Sequence, residues 1–248
     1  MADGRHAISL IAPLAVLGRA EEVALRVGQA IQLGLLSDGE QLPSEAEFAA
    51  QLGVSAMTLR EALAMLRQQG LVETRRGRAG GTFVRRPTAP QPGLVRDRLR
   101  ELSAGGLRDL IDEQSAVSGT AARLAASRAS TVSVRRLLAL ADQLSLASTP
   151  GARIMADGRF HVELAIASKS PRLTALEVAL QARLAELLWL PAEDDGEPDH
   201  VTAAAEHAAI AAAIEAEDGS RARLLAEEHT EANFRRLTAL RLALPPQS

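Results

Sequence analysis

The chain has 248 residues, a length that suits two domains better than one. Apolar residues make up 47%, enough to bury a sizeable core and to argue against bulk disorder, while aromatics at 2% argue against a single-strand binder built on base stacking. Net charge is −3 and cysteine is absent, which excludes disulfides, thiol nucleophiles and thiolate metal sites and fits a reducing cytoplasm.

The apolar stretch 7–17 falls short of the ~18 residues a membrane span needs, is broken by Pro13 and has no small-residue cleavage site, so neither a span nor a signal peptide is expected. Residues 19–34 place Val23, Val27, Ala30 and Ile31 on one helical face, with Gly34 or Gly39 as the stop. Ser44 followed by Glu47 reads as a capping box, so a helix starts there and ends at Gly53. Ser55 caps the next helix, whose Leu59, Leu63 and Leu66 face inward and which Gly70 ends. Helix, short glycine-containing turn and helix form a helix-turn-helix. Residues 71–74 and 82–85 suit strands, and they flank a loop carrying Arg75, Arg76, Arg78, Gly80 and Gly81. Residues 55–90 hold seven Arg against two Glu, a local basic patch that a polyanion site or an ordinary solvated face would both produce. A helix entering the major groove with a basic hairpin beside it is a device for reading duplex DNA.

At these residues the chain resembles a known family. Leu42-Pro43-Ser44-Glu45, Leu52-Gly53-Val54-Ser55, Thr58 through Leu63, Leu66, Gly70-Leu71-Val72 and Gly80-Gly81-Thr82-Phe83-Val84 resemble the winged helix-turn-helix of GntR-type bacterial transcriptional regulators. The resemblance implies that Ser55, Thr58 and Arg60 contact DNA and that the Gly80/Gly81 tip enters the minor groove. With the wing arginines, the expected DNA-binding set is Ser44, Ser55, Met57, Thr58, Arg60, Arg75, Arg76, Arg78, Gly80 and Gly81. The family often has Arg where Ala46 and Ala56 stand here, so the operator is expected to depart from the usual site. Arg67, two turns further on, is expected to face solvent or a phosphate.

Residues 87–93 contain three prolines and read as a semi-rigid linker between a domain at 1–86 and a second at 94–248. Beyond it, helical periodicity recurs over 94–103, 107–128, 131–147, 152–168, 172–190, 201–217 and 219–240, with breaks at Gly105-Gly106, Ser130, Pro150-Gly151, Pro171, 191–198 and Asp218-Gly219. The expected fold is therefore mostly α. It joins a winged helix-turn-helix with a small β-hairpin wing to an all-α antiparallel bundle of six or seven helices.

Histidine placement in the bundle is informative. Asp157 and His161 are one turn apart on one face. His207 and His229 each lie eleven residues from Asp218, at the centre of the turn between the last two helices. At ~1.5 Å per residue both sit ~16 Å from that turn and can face each other. One carboxylate and three imidazoles from three helices then converge, a donor set for Zn, Ni, Mn or Fe(II); satisfied core or surface histidines are the alternative. His200 is assigned to a helix start and His6 to a mobile terminus.

The same stretch resembles the FCD ligand-binding domain of the FadR-type subfamily, through Asp157 to His161, Glu206-His207 with Ile210 and Ile214, Asp218 and His229, and more loosely through Asp109-Leu110 and residues 121–126. It implies a divalent metal ion held by Asp157, His161, His207 and His229. The family frequently has Arg where Gln114 stands, facing the effector cavity, and Asn where Ser170 stands. With Gln114 there, the effector is less anionic, or Arg123 or Arg183 supplies the charge; these three are the expected effector-binding residues. Trp189 is assigned to the core.

These expectations combine into a cytoplasmic homodimer that binds a pseudo-palindromic double-stranded operator. It acts as a transcriptional regulator, a repressor by resemblance, controlled by a small carboxylate at the metal. Two alternatives stay open: a sensor of metal concentration with no organic effector, and a metal-dependent hydrolase. The hydrolase would need a general base that is not a ligand, and Glu163 and Glu206 lie too close in sequence to ligands to share their helix face.

Overall fold

A computed structural model describes residues 18–77, 80–85, 92–191 and 199–244. They divide into two compact units, one of residues 18–28 and 38–85 and one of residues 29–37 and 92–244. No helix among the described residues is long and apolar enough to cross a membrane.

The first unit is built from residues 19–28 of α1 (Arg19–Gln32), α2 (Glu45–Leu52), α3 (Ala56–Gln68), β1 (Val72–Arg75) and β2 (Gly81–Val84). Helix α2 starts at the expected capping box: Ser44 Oγ accepts from Glu47 N at 3.4 Å, and the Glu47 carboxylate accepts from Ser44 N at 3.2 Å. It stops at Gly53, whose φ of 66° is left-handed and would cost another residue ~1 kcal/mol. Ser55 Oγ caps α3 by accepting from Thr58 N at 3.1 Å. Leu59, Ala62, Leu63 and Leu66 fall at i, i+3, i+4 and i+7 and are buried together.

Both strands lie one residue from the expected positions. Leu71 N is spent on Leu66 O at 2.9 Å, closing α3, so the antiparallel ladder runs from Val72↔Val84 to Arg75↔Gly81. A third extended segment was not expected. Leu42 N donates to Thr82 O at 2.9 Å and Val84 N to Glu40 O at 2.8 Å, so residues 40–42 line the other edge of β2. Between a glycine turn and Pro43 the segment is too short to show alternation.

The second unit contains seven helices among its described residues: α4 (Pro92–Glu101), α5 (Ala104–Arg128), α6 (Thr131–Ser145), α7 (Pro150–Ala167), α8 (Pro171–Leu188), α9 (His200–Glu215) and α10 (Gly219–Ala243). Two expected boundaries move. Pro92 and Gly93, assigned to the linker, open α4, because a proline in the first turn forfeits no hydrogen bond; residues 87–91 of that linker lie outside the described residues. Gly105-Gly106 does not break the chain either. Ser103 caps α5 by accepting from Gly106 N at 2.9 Å, which secures the first turn over both glycines.

The bundle has two apolar clusters. Leu110, Ile111, Leu184, Leu188, Leu237 and Leu240 belong to one; Phe160, Leu164, Leu137, Ile210, Ile214 and Ala226 belong to the other. Four buried polar side chains sit where helices pass from one cluster to the other: Ser118 on α5, Asp157 on α7, His207 on α9 and His229 on α10. A polar layer sandwiched between two greasy ones is costly unless its members are partnered, so it marks where to look for function.

Candidate DNA-reading surface and metal centre

In the first unit the expected contact residues cluster at the start of α3 and along the hairpin. Met57 is 70% exposed, and Arg60 projects into solvent one turn on. Ser44 and Ser55 use their hydroxyls as caps, and Ser55 Oγ also lies 2.8 Å from Thr58 Oγ1. The arginines are held in position by acids: Arg60 Nε donates to Glu45 Oε2 at 2.9 Å, Arg75 Nε to Glu73 Oε1 at 2.8 Å and Arg85 Nε to Glu73 Oε2 at 2.8 Å. The two wing guanidiniums keep the Glu73 carboxyl below the ordinary range. Arg75 also stacks over Phe83 at 4.3 Å, and Arg67 donates to Thr74 Oγ1 at 3.2 Å. Arg76 is exposed. A Cβ on Gly80 would stand 2.6 Å from Arg75 O and 2.8 Å from Gly77 O, so the loop closes only on glycine. Arg78 lies outside the described residues.

In the second unit the three helices deliver their donors to one point. Asp157, His161, His207 and His229 are all buried, and one ligand atom from each lies within 4.8 Å of the others. His207 Nε2 is 3.5 Å from Asp157 Oδ1 and 3.3 Å from His229 Nε2, and His161 Nε2 is 3.9 Å from Asp157 Oδ1. The placement of His207 opposite His229, with ring centroids 4.7 Å apart and planes tilted by 59°, follows from their equal distance from the turn at Asp218. Phe160 stacks on the His207 ring at 3.8 Å between centroids and locks its orientation.

These groups are poorly satisfied by one another. Neither nitrogen of His161 has a hydrogen-bond partner among the described residues, nor do His207 Nδ1 and Asp157 Oδ2. Burial pushes His161 and His207 well below the ordinary imidazole range, so both are neutral with lone pairs to offer. Burial raises the Asp157 carboxyl, opposed by charge on His229 and by Trp189 and Arg236. A cation at this point would partner the orphaned donors and reverse the desolvation cost of Asp157, so the residues fit a divalent metal ion.

A second ring of residues orients the first. His229 Nδ1 lies 2.6 Å from Glu206 Oε2, which directs Nε2 toward the cluster, and Asn233 Nδ2 lies 3.2 Å from that Nε2. Glu206 was expected to point elsewhere. It does point away from its neighbour His207, but it reaches across to the next helix. Glu177 Oε1 stands 3.9 Å from His161 Nδ1; its carboxyl is pushed up to about 7 by burial, against hydrogen bonds from Gln181 and Ser118.

The sequence reading missed Arg236. It lines a cavity of about 160 Å³ together with Asp157, Trp189, Glu206 and Asn233, and burial lowers its guanidinium to about 10. His229, Asn233 and Arg236 fall at i, i+4 and i+7, so the shared face was open to discovery. Trp189 is both core and cavity wall. Gln114 is fully buried. The other two expected effector residues are on the surface: Arg123 is exposed, and Arg183 is 56% exposed beside Glu113 at 4.0 Å.

A winged helix-turn-helix unit followed by a helical unit with a buried donor cluster defines a DNA-binding regulator. Comparison with known proteins gives the family. Residues 19–84 match the model described as "Bacterial regulatory proteins, gntR family", and residues 109–232 match the FCD domain. RmpR of Mycobacterium gastri, named as an HTH-type transcriptional regulator, is 42% identical over 226 residues, covering 91% of this chain and 82% of its own. The Uxu operon transcriptional regulator of Escherichia coli K12 is 31% identical over 216 residues, covering 85% and 83%. The solved E. coli McbR/YncC shares the fold with a TM-score of 0.54 at 18% identity, over 90% of this chain and 99% of that one. The chain belongs to the GntR family of transcriptional regulators, in the FadR-type branch that carries an FCD domain. Its relatives are regulators and not enzymes.

Proposed function

We propose that the chain is a cytoplasmic, homodimeric repressor whose hold on a pseudo-palindromic operator is controlled by a small carboxylate bound beside a metal ion in the helical unit. Asp157, His161, His207 and His229 would hold the ion. Zn, Ni, Mn or Fe(II) suits three imidazoles and one carboxylate, and the bound ion would offer a Lewis-acidic point to an oxygen ligand. The chain's own residues do the rest. Arg236 supplies a buried cation on the wall of the adjoining cavity, Glu206 fixes the His229 tautomer, and Trp189 and Leu188 exclude water. In the DNA-reading unit, Arg60 and Met57 face bases at the start of α3, and Arg75, Arg76 and Arg78 meet phosphates or the minor groove. Two copies on a two-fold site would double that grip, and salt would weaken it steeply. The relatives named for the Uxu operon and for an L-lactate dehydrogenase operon support control of a metabolic operon. The effector acts only to the extent that it binds the DNA-competent and DNA-released arrangements unequally.

The observation that carries this reading is the buried four-donor cluster with unpartnered nitrogens beside a cavity walled by Arg236. The test is metal content and thermal shift of the full chain, with and without a panel of small carboxylates, repeated on His207→Ala. About one divalent ion per chain, and a carboxylate response that disappears in the variant, are expected. A chain that takes up no ion, or a variant that responds undiminished, overturns the reading. A response to chelation alone, with none to any carboxylate, makes the chain a sensor of the metal itself.

A further inference from the structure

Residues 39–42 strap the wing to the helix-turn-helix. Gly39 N donates to Val84 O at 3.0 Å, Val84 N to Glu40 O at 2.8 Å and Leu42 N to Thr82 O at 2.9 Å. Leu42 is buried and anchors the strap, and Ser44, two residues on, caps α2. Helix α2 packs against α3, and Glu45 at its start holds Arg60 of α3. The strap therefore sets where β2 lies relative to the reading helix. Its backbone ladder ends at Thr82, because Pro43 has no N–H to continue it and Ser44 N is taken by the Glu47 carboxylate. The last turn of the way to the wing loop is left to a side chain.

That side chain is Gln41. Its backbone stands opposite Phe83, and its Nε2 reaches along β2 to donate to Gly80 O at 3.2 Å. A Cβ on Gly81 would stand 2.5 Å from Gln41 Nε2, 3.3 Å from its Cδ and 3.5 Å from its Cγ, so the amide lies flat on Gly81 and a glycine leaves it room. The two adjacent glycines thus have separate tasks: Gly80 lets the loop close on Arg75 O and Gly77 O, and Gly81 admits Gln41. Gly81 pairs with Arg75 in the ladder, so the strand end that Gln41 holds is the one across from a wing arginine. Gln41 is itself exposed, so its contact adds little to the stability of the unit. What it fixes is the position of the Gly80–Gly81 end.

We propose that Gln41 is a positioning residue of the DNA-reading surface: its amide holds the Gly80–Gly81 end of the wing, with Arg75 across from it, at a fixed offset from α3, and the wing's choice among base pairs in the minor groove depends on that offset. This rests on the reading in which the wing meets the minor groove, and the test separates the two. Phosphates recur all along a duplex, so a wing released from Gln41 still finds them, but it meets base edges at no fixed position. Loss of Gln41 is therefore a loss of discrimination at the wing's base pairs rather than of affinity for DNA at large.

The full-length wild type first selects sites from a randomised double-stranded pool. Wild type, Gln41→Met, Gln41→Lys and Arg75→Ala are then titrated with the recovered site and its single base-pair variants. Inosine·cytosine pairs, which lack the minor-groove amino group of G·C but keep its major-groove face, mark the positions read from the minor groove. Gln41→Met is similar in length and cannot donate. It is expected to lower discrimination at those positions about two- to tenfold, the contribution of one hydrogen bond, while the positions read by α3 and the melting temperature stay as in the wild type. Gln41→Lys can donate to Gly80 O and is expected to keep the discrimination; its added charge strengthens binding to all sequences alike and drops out of the ratio. Arg75→Ala reports on the wing itself. The Gln41 proposal alone is overturned if Gln41→Met keeps the minor-groove discrimination that Arg75→Ala loses, if Gln41→Lys loses it as fully as Gln41→Met, or if Gln41→Met weakens the α3 positions in equal proportion, the mark of a loosened unit. A wild type for which no inosine pair behaves as A·T overturns the minor-groove reading of the wing, and the Gln41 proposal with it.

Discussion

The two units keep their functional residues in opposite conditions. In the DNA-reading unit, Arg60, Arg75 and Arg85 are exposed and each rests on a nearby acid, Glu45 or Glu73. Such pairs are worth ~0–1 kcal/mol and can be exchanged for phosphates at little cost. In the helical unit, the donors are buried, incompletely partnered, and surrounded by groups whose protonation is displaced. One surface is ready for a large polyanion that arrives from outside. The other is organised for something small that must be enclosed. On the function proposed above, ligand control of DNA binding couples a low-stakes surface to a high-stakes interior, where a single cation changes the energy by on the order of several kcal/mol.

The largest effect separating the two should come from Glu177. Its carboxyl is raised to about 7 in the fold against an ordinary 4.5, so the fold favours its protonated form. The stability it contributes is fully present below about pH 4.5 and is lost as pH rises through 7. In metal-free protein, the wild type should lose ~3 kcal/mol relative to Glu177→Gln between pH 5 and pH 8. The neutral His161 and His207 oppose folding below about pH 6.5, but they do so in both proteins and cancel in the difference. Denaturant melts at the two pH values check it. A difference that does not change with pH would mean that the carboxylate is better solvated than its burial implies.

A smaller effect belongs to Glu206. Glu206→Ala removes the acceptor at 2.6 Å from His229 Nδ1 but no ligand, and should weaken metal binding ~10- to 100-fold. Competition with a metal-sensitive dye measures it. An unchanged affinity would show that the stacked and packed rings hold their own orientation, and it would reduce the contrast between the units to burial alone.

The legibility of the two units differs for the same reason. Local hydrogen bonding dictates the caps at Ser44 and Ser55 and the stop at Gly53, so the helices of the first unit could be read within a residue or two. The strands shifted because Leu71 is claimed by α3, a competition between neighbours that strand propensity does not register. The convergence of Asp157, His161, His207 and His229 was legible because helix geometry converts spacing into height, and the antiparallel hairpin does the rest. Arg236 was open to the same reading, since it shares a helix face with His229, but Glu206 was not: it acts across a helix interface, where what matters is the rotation of one helix against another, and no spacing along the chain encodes that. For the same reason Arg123 and Arg183 were plausible as charges and yet stand on the outer face.

The smallest effect tests the surface side of the comparison. Arg60→Ala should cost operator binding ~1–3 kcal/mol if the guanidinium reaches a base, and should flatten the preference at that base. Glu45→Gln removes only the acid that holds Arg60, at a cost to stability within ~0.5 kcal/mol, because the pair is exposed. Freed of that partner, Arg60 no longer has to give up an ion pair to meet DNA, so Glu45→Gln should leave operator affinity unchanged or raise it severalfold. The gain should shrink at high salt, where the ion pair is already screened. Gel shifts at two ionic strengths separate the outcomes. If Glu45→Gln instead weakens binding as much as Arg60→Ala, the pair acts as a fixed bracket that presents the guanidinium, and the reading head depends on preorganisation in the way the buried centre does.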